Sequence, residues 1–337
     1  MKFRHALIVG KFAPPHRGHQ HLIDAALAES ERVTVLCYAV PDFIFMPNRQ
    51  RAQWLRVLYP DVDVLTPENA PRDDAGGEVQ QAFVRDWLAA CGIVVDAVFS
   101  SEVYGDTFAR QMGTGVSHRQ IDLPRQRIPI SATAIRNDVH AHREWLSPAI
   151  YRHFVRRVVL LGAESSGKST LTAALARHYD TLYVPEIGRA VWEGKKGHLD
   201  CRDYIDIARQ HRAAEDAAAA NAIRFLFVDT NAITTLLLGF CYRQLDVAPP
   251  ELLEWADECK ARYAYTFVCD DDIAFEQDGW RDDASWRERV QGMVLYDLAI
   301  RGIGHRVVRG PLAARIDQVS STLDWDTIDL TARDSRV

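Results

Sequence analysis

The sequence predicts an α/β protein of two domains, each built on a parallel sheet. Its 337 residues, set against roughly 100–200 per domain, provide for two separate cores. Short apolar runs alternate with helical patterns along the chain, as parallel strands joined by crossover helices require. Two of these runs, 6–9 and 158–161, end in a glycine-bearing turn that opens a helix. Turns of that kind are where parallel sheets bind anions.

Composition narrows the class. The chain is 47% hydrophobic and 26% charged, with a formal net charge of −6, so it carries no general electrostatic footprint for nucleic acid. No apolar run approaches the roughly 18 residues of a membrane span. Residues 1–4 run straight into the first strand without a signal peptide, which predicts a cytoplasmic protein. The six cysteines are far apart, lack a Cys-x-x-Cys and stand mostly in apolar surroundings. Buried free thiols in a reducing compartment are expected.

In chain order, strand 6–9 ends in Gly10 and is followed by Lys11-Phe12-Ala13-Pro14-Pro15-His16-Arg17-Gly18-His19 and a helical pattern over 20–29. His16 and His19 flank Gly18 at the mouth of that helix. A helix N-terminus attracts phosphate, two imidazoles there donate to phosphoryl oxygens, and Gly18 lets a ligand approach the backbone. A zinc pair is the rival, though no third ligand has supporting spacing, and two solvated histidines are the plain alternative. Strands 32–39, 62–65 and 97–100 then alternate with helices 49–59 and 78–91. The last strand closes in Ser100-Ser101-Glu102-Val103-Tyr104-Gly105. In Ile130-Ser131-Ala132-Thr133-Ala134-Ile135-Arg136, Ser131 caps a helix whose first turn carries Thr133 and Arg136. Hydroxyls, open N–H groups and a guanidinium suit a triphosphate, an ordinary capped helix being the alternative.

A short helix over 143–154 leads out of the first domain. The boundaries expected are 1–147, a linker at 148–156, and 157–337. After strand 158–161 comes Gly162-Ala163-Glu164-Ser165-Ser166-Gly167-Lys168-Ser169-Thr170, then a helix over 170–179. This is the Gly-x-x-x-x-Gly-Lys-Ser phosphate loop in its required strand-to-helix setting. It predicts ATP, with Lys168 on the β- and γ-phosphates and the Ser169 hydroxyl on Mg²⁺. Glu186 ends the next strand with Arg189 one turn on. Glu186 reads as acceptor ligand and general base, or else the two form a structural ion pair. Strand 225–229 ends in Asp229, a Walker-B carboxylate for Mg²⁺ unless it serves as a helix cap. The alanine-rich helix 203–222 reads as scaffold.

Strand 266–269 precedes Asp270-Asp271-Asp272, a charge run that reads as solvated rather than as a metal cluster. Aromatic and charged residues alternate around Gly279, ahead of a helix over 286–301. A lid would use Phe275 or Trp280 to stack on a substrate ring and Arg281 to neutralise the transferring phosphoryl group, with Arg287 and Arg289 as substitutes. The last strand is 305–309, and Gly310-Pro311 turns the chain where P-loop kinases usually place the adenine.

The loop Gly10 to His19 together with the distal Ile-Ser-x-Thr-x-x-Arg at 130–136 resembles the cytidylyltransferase-like nucleotidyltransferases. Adding the phosphate loop, Glu186-x-x-Arg189, Val228-Asp229-Thr230 with Ile233-Thr234-Thr235, and Asp278-Gly279-x-Arg281, the chain from about residue 7 to 310 resembles the bifunctional nicotinamide-nucleotide adenylyltransferase/ribosylnicotinamide kinase family (NadR type). The resemblance implies a Rossmann-like nucleotidyltransferase domain followed by a P-loop kinase domain. It implies that Gly10, Lys11, Phe12, His16, Gly18, His19, Ser131, Thr133 and Arg136 hold one ATP. Gly162, Glu164, Ser165, Ser166, Gly167, Lys168, Ser169 and Thr170 would hold the other. The kinase would phosphorylate nicotinamide riboside at its 5′-hydroxyl, and the first domain would adenylylate the mononucleotide to NAD with loss of pyrophosphate. Homo-oligomers are common among such enzymes.

Three departures from the family pattern are visible. No helix-turn-helix fits ahead of a strand at residue 6, position 231 is Asn where a second acid is expected, and position 275 is Phe where a Trp is expected to stack on nicotinamide. Other nucleosides or a phosphopantetheine-like alcohol remain alternative acceptors. A nucleotide sensor without turnover is a different class of reading. An intact set of Lys168, Ser169, Asp229 and Arg281 speaks against it, since a sensor need not keep a transfer apparatus.

Overall fold

The computed structural model describes residues 2–103, 105–122, 126–275, 284–325 and 329–334. The chain forms two compact units, Met1–Tyr151 with Ile328–Val337, and Arg152–Thr327. The α/β class and the parallel sheets are as expected. The chain's end is not, because the sequence reading leaves it with the second domain and the structure returns it to the first.

The first unit runs β1 (Ala6–Gly10), α1 (Arg17–Glu29), β2 (Val33–Cys37), α2 (Asn48–Leu58), β3 (Asp63–Leu65), α3 (Gly77–Ala90), β4 (Ala97–Ser100), α4 (Gly105–Met112), β5 (Ser117–Gln120), α5 (Ala132–Asn137) and α6 (Pro148–Tyr151). Its parallel sheet has the order β3-β2-β1-β4-β5. Side chains alternate along a strand, so Ala6 and Ile8 enter one core with Val35, Leu55 and Phe99. Leu7 enters the other with Leu36, Val84 and Val98. Apolar groups are needed on both faces, which is why β1 reads as an unbroken apolar run. Strand order reverses between β1 and β4, and there the histidine loop and the Ser100 turn leave the sheet. β5 had no sequence signal: Ser-His-Arg-Gln at an edge is largely exposed. The helix expected over 143–154 is instead one 3₁₀ turn, Arg143–Trp145, followed by α6.

The second unit contains β6 (Arg156–Leu161), α7 (Lys168–His178), β7 (Tyr183–Val184), α8 (Ile187–Gly194), α9 (Cys201–Ala219), β8 (Phe225–Asp229), α10 (Ala232–Cys241), α11 (Pro250–Arg262), β9 (Tyr265–Cys269), α12 (Ala284–Ile300), β10 (Arg306–Val308) and α13 (Leu312–Leu323). The order is β10-β9-β6-β8-β7, again parallel. Val158 and Leu160 pack with Phe225, Phe227 and Phe267 under α7 and α13. β6 is therefore central, and its carboxyl end lies beside those of β8 and β9, from which Asp229 and Asp270 emerge.

All six thiols are free, but only Cys37, Cys259 and Cys269 are buried. Cys91 and Cys201 are exposed, correcting the expectation for those two. Among the described residues no helix is long and apolar enough to cross a membrane.

Candidate nucleotide-transfer sites

In the first unit His16 is the N-cap of α1. Its Nδ1 accepts the Gly18 N–H at 3.0 Å, and its own N–H is accepted by His19 Nδ1 at 3.2 Å. Each ring thus uses Nδ1 as an acceptor, so the proton of the neutral imidazole sits on Nε2. Two Nε2–H donors at a helix N-terminus, on rings 3.8 Å apart, match a phosphoryl oxygen. Gly18 is required for this arrangement, since a Cβ there would lie 2.8 Å from His16 Cε1. Phe12, at φ +49°, sets its ring 4.9 Å from His19. A Cβ on Gly10 would press on that ring at 3.1 Å.

Ser131 caps α5, its Oγ accepting the Ala134 N–H at 3.1 Å. Arg136 donates to Thr133 Oγ1 at 2.9 Å and to the Ala13 carbonyl at 2.7 Å. The distal motif is thereby tied to the histidine loop. Burial, then the neighbouring Arg333 and Arg51, lowers the Arg136 pKa. Lys11 pairs with Asp73 at 2.9 Å. In the Ser100 turn, Ser100 Oγ meets His118 Nε2 at 2.9 Å, and His118 Nδ1 meets Asp106 at 2.7 Å. His118 lies on β5 and went unread along with its strand. A Cβ on Gly105 would fall 2.0 Å from His118 Nε2, so this chain of bonds depends on that glycine.

In the second unit the phosphate loop curls through positive φ at Gly162, Ser165 and Gly167. Lys168 Nζ donates to the loop's own Ala163 carbonyl at 3.1 Å, and Ser166 Oγ donates to the same oxygen at 2.7 Å. Ser169 and Thr170 are exposed in the first turn of α7. Glu164 accepts from Tyr242 OH at 3.4 Å. Two residues the sequence did not single out brace the loop. Gln291 of α12 accepts the Ala163 N–H at 2.9 Å and donates to the Cys269 carbonyl at 3.0 Å. Arg315 of α13, almost wholly buried, donates to the Ser166, Asp270 and Gly310 carbonyls and pairs with Asp272 at 2.5 Å. Asp270 pairs with Arg309 at 2.6 Å. Those two aspartates bind arginines rather than solvent alone, which revises the reading of the charge run.

Asp229 ends β8, is 1% exposed, and its Oδ1 has no hydrogen-bond partner among the described residues. Thr230 and Thr234 hydroxyls beside it are also buried and unpartnered there. A desolvated carboxylate oxygen without a donor is costly, and a divalent cation satisfies it. Asp229 is not a helix cap. Asn231 caps α10 with Oδ1 on the Ile233 N–H at 3.0 Å, which gives the amide at 231 its role.

Glu186 is half-buried at the N-cap of α8 rather than at a strand end. Burial, aided by the Asp229 carboxylate and opposed by Lys168, Arg189 and His211, raises its pKa. Arg189 pairs with Glu193 at 3.0 Å. Phe275 lies 5.4 Å from the guanidinium carbon of Arg287, which donates to the Ile273 carbonyl. Trp280 and Arg281 lie outside the described residues.

The alanine-rich helix α9 is more than scaffold. His211 Nε2 lies 3.1 Å from the Asp229 carbonyl oxygen, and Nδ1 lies 3.2 Å from Glu215, which is fully buried. His211 thereby bridges the buried carboxylate on its own helix and the end of β8. Glu215 also accepts from Tyr263 OH at 2.7 Å and Arg262 Nε at 2.8 Å.

Comparison with known proteins follows the same division. The AAA domain family matches residues 157–315. The trifunctional NAD biosynthesis/regulator protein NadR of Escherichia coli (strain K12) is 26% identical over 307 residues, 85% of this chain and 73% of that protein. The protein of the same description from Salmonella typhimurium (strain LT2) is 25% identical over 303 residues, 84% of this chain and 73% of its own. A crystal structure of a NadR protein in complex with NR superposes with a TM-score of 0.69 at 21% identity, covering 97% of this chain and 98% of that one. A NadR protein in complex with NAD and AMP-PNP gives 0.66 at 21% identity, covering 99% and 98%. At that identity the solved structures speak for the fold, and the curated relatives extend the likeness over most of the sequence. The chain is NadR-like.

Proposed function

We propose that the chain is a bifunctional enzyme of NAD salvage. Its second unit would transfer the γ-phosphoryl group of ATP to the 5′-hydroxyl of nicotinamide riboside, and its first would transfer adenylyl from ATP to the mononucleotide, releasing pyrophosphate. The observation that supports this reading is two unlike turns suited to phosphate on one chain, the His16–Gly18–His19 turn at α1 and the phosphate loop with Asp229, whose Oδ1 has no partner among the described residues. The relatives' description as NAD biosynthesis proteins, and the NR, NAD and AMP-PNP in the related crystal structures, supply the substrate class.

In the kinase, Lys168 exchanges the Ala163 carbonyl for β- and γ-phosphate oxygens. Glu186 takes the 5′-hydroxyl proton as the O5′–phosphorus bond forms and the β,γ-bridge breaks. Arg281 or Arg287 neutralises the moving group, and Phe275 stacks on the pyridine ring. Ser169 and Asp229 would hold Mg²⁺, which would supply positive charge to offset that of the phosphates. In the adenylyltransferase a mononucleotide phosphate oxygen attacks the α-phosphorus and the α,β-bridge breaks. Here His16, His19, Thr133 and Arg136 act by alignment and charge stabilisation, without a covalent intermediate.

The test is incubation with Mg-ATP and nicotinamide riboside, and in parallel with the mononucleotide, following products by mass. Mononucleotide in the first tube and NAD in the second are expected. Lys168→Ala should abolish the first reaction and spare the second, and His19→Ala the reverse. Loss of both reactions in either folded variant would refute two separate sites, and no product in either tube would favour a sensor.

A further inference from the structure

Residues 329–334 belong to the first unit although they follow the second in sequence. They run along residues 42–44: Phe43 and Arg333 form an antiparallel bridge, Ile44 N–H donates to the Ala332 carbonyl at 3.1 Å, and Asp334 N–H to the Asp42 carbonyl at 2.8 Å. Leu330 is buried and anchors the segment. Arg333 is engaged three times. Nη1 donates to the Pro41 carbonyl at 2.8 Å and lies 3.1 Å from Asp73 Oδ2, and the guanidinium carbon is 3.4 Å from the Phe43 ring centre.

These partners serve the nucleotide loop as well. The Asp73 oxygen that meets Arg333 also holds Lys11 Nζ at 2.9 Å. The Phe43 ring that carries Arg333 has Arg136 at 5.2 Å and Arg51 at 5.3 Å. Arg51, fully buried, donates to the Lys11 carbonyl and pairs with Asp42 at 2.5 Å. Lys11, Arg51 and Arg333 therefore pair with two carboxylates, Asp42 and Asp73, while Arg136 shares the Phe43 ring with Arg51 and Arg333. The excess positive charge suits a polyanion.

Asp73 links the segment to the loop. Its Oδ1 accepts the Val40 N–H at 3.1 Å, which leaves Oδ2 to serve both cations. Against Lys11 alone, the carboxylate would hold the ammonium as an undivided ion pair that each arriving phosphate must break. A second cation on the same oxygen divides that attraction and leaves Lys11 placed but exchangeable. We propose that the C-terminal segment is a working part of the first unit's nucleoside-triphosphate site, with Arg333 a positioning residue that shares Asp73 with Lys11 and so makes Lys11 available to the phosphates. This rests on the adenylyl-transfer reading.

The test compares the full chain with Arg333→Ala and Arg333→Lys, reading KM for ATP and kcat in adenylyl transfer, with the kinase reaction of the same preparation as control. Arg333→Ala should raise KM about five- to ten-fold, a coupling of ordinary size for neighbouring charges, and leave kcat within about two-fold. Arg333→Lys should recover most of the loss. In an Asp73→Asn background Arg333→Ala should change KM by less than about two-fold, because the shared carboxylate charge is gone. An unchanged KM, no rescue by lysine, or an undiminished effect in the Asp73→Asn background would overturn the inference. If the parent shows no adenylyl transfer, the functional reading fails on its own. The inference is then decided by equilibrium binding of a non-hydrolysable ATP analogue to the site that His19→Ala weakens. The same loss on Arg333→Ala upholds it, and equal affinity refutes it.

Discussion

Replacing Glu215 by glutamine keeps its size and removes its charge, so the variant isolates electrostatics from packing. Glu215 is 0% exposed and faces Arg262 at 2.8 Å, Arg157 at 3.7 Å, His211 at 3.2 Å and Tyr263 at 2.7 Å. Without the carboxylate, the half-exposed Asp216 is the one anion left to Arg157 and Arg262 among the described residues, Arg262 keeping the Arg212 carbonyl as well, and His211 faces a neutral amide in place of a charged acceptor. Removing one partner of a buried ion cluster costs about 3–5 kcal/mol. For a unit of this size that is about a 10 °C drop in melting temperature. Two units need not melt together, so the assay is hydrogen exchange. Amides of β6 and β8 should lose protection while those of β1 and β2 keep theirs. The pH dependence adds a sign. Burial alone would raise the Glu215 pKa, but the His211 hydrogen bond and the Arg262 charge outweigh it and hold it below the usual value. The charge's contribution is thus complete above the ordinary glutamate range and is lost as pH falls through the folded value. Parent and variant should converge in stability on acidification. A loss under about 1 kcal/mol at neutral pH, or a gap that widens in acid, would refute the assignment of Glu215 as an ionised hub.

Two further outcomes test the second unit. Because burial raises the Glu186 pKa, kinase kcat/KM should fall with acid at a higher pH than an ordinary glutamate would give. Glu186→Gln should lower kcat by about 10²–10⁴ and flatten that limb, whereas an unchanged limb would exclude Glu186 as the base. Gly162→Ala places a Cβ 2.6 Å from the Cys269 carbonyl at φ +136°, and a backbone oxygen cannot swing aside. ATP affinity of the second unit should collapse with a stability loss of about 1–3 kcal/mol, while adenylyl transfer by the first unit persists.

Legibility followed the reach of each interaction. The phosphate loop and the His16–Gly18–His19 turn could be read because their chemistry is local: a few consecutive residues supply the glycines, the donors and the helix end. β1 and β6 could be read because central parallel strands need apolar groups on both faces. What supports those turns was hidden, since its partners meet only in the fold. Gln291 lies 128 residues from Ala163, Arg315 149 from Ser166, and Arg333 292 from Pro41. Each is an ordinary polar residue on its own element, with no spacing to mark it. β5 was missed because an edge strand of Ser-His-Arg-Gln has neither apolar period nor run, and His118 was missed with it. In α9 the alanines satisfied helix propensity and distracted from the one informative pair, His211 and Glu215 at i and i+4. Two ionisable residues one turn apart, on a buried face they share with Ile207, Ala208 and Ala219, were the available signal. Their meaning depended on Asp229, whose carbonyl closes β8 eighteen residues later. A motif therefore tells which residues can touch the phosphates, while the polar residues that hold it still must be sought on the helices packed behind its strands.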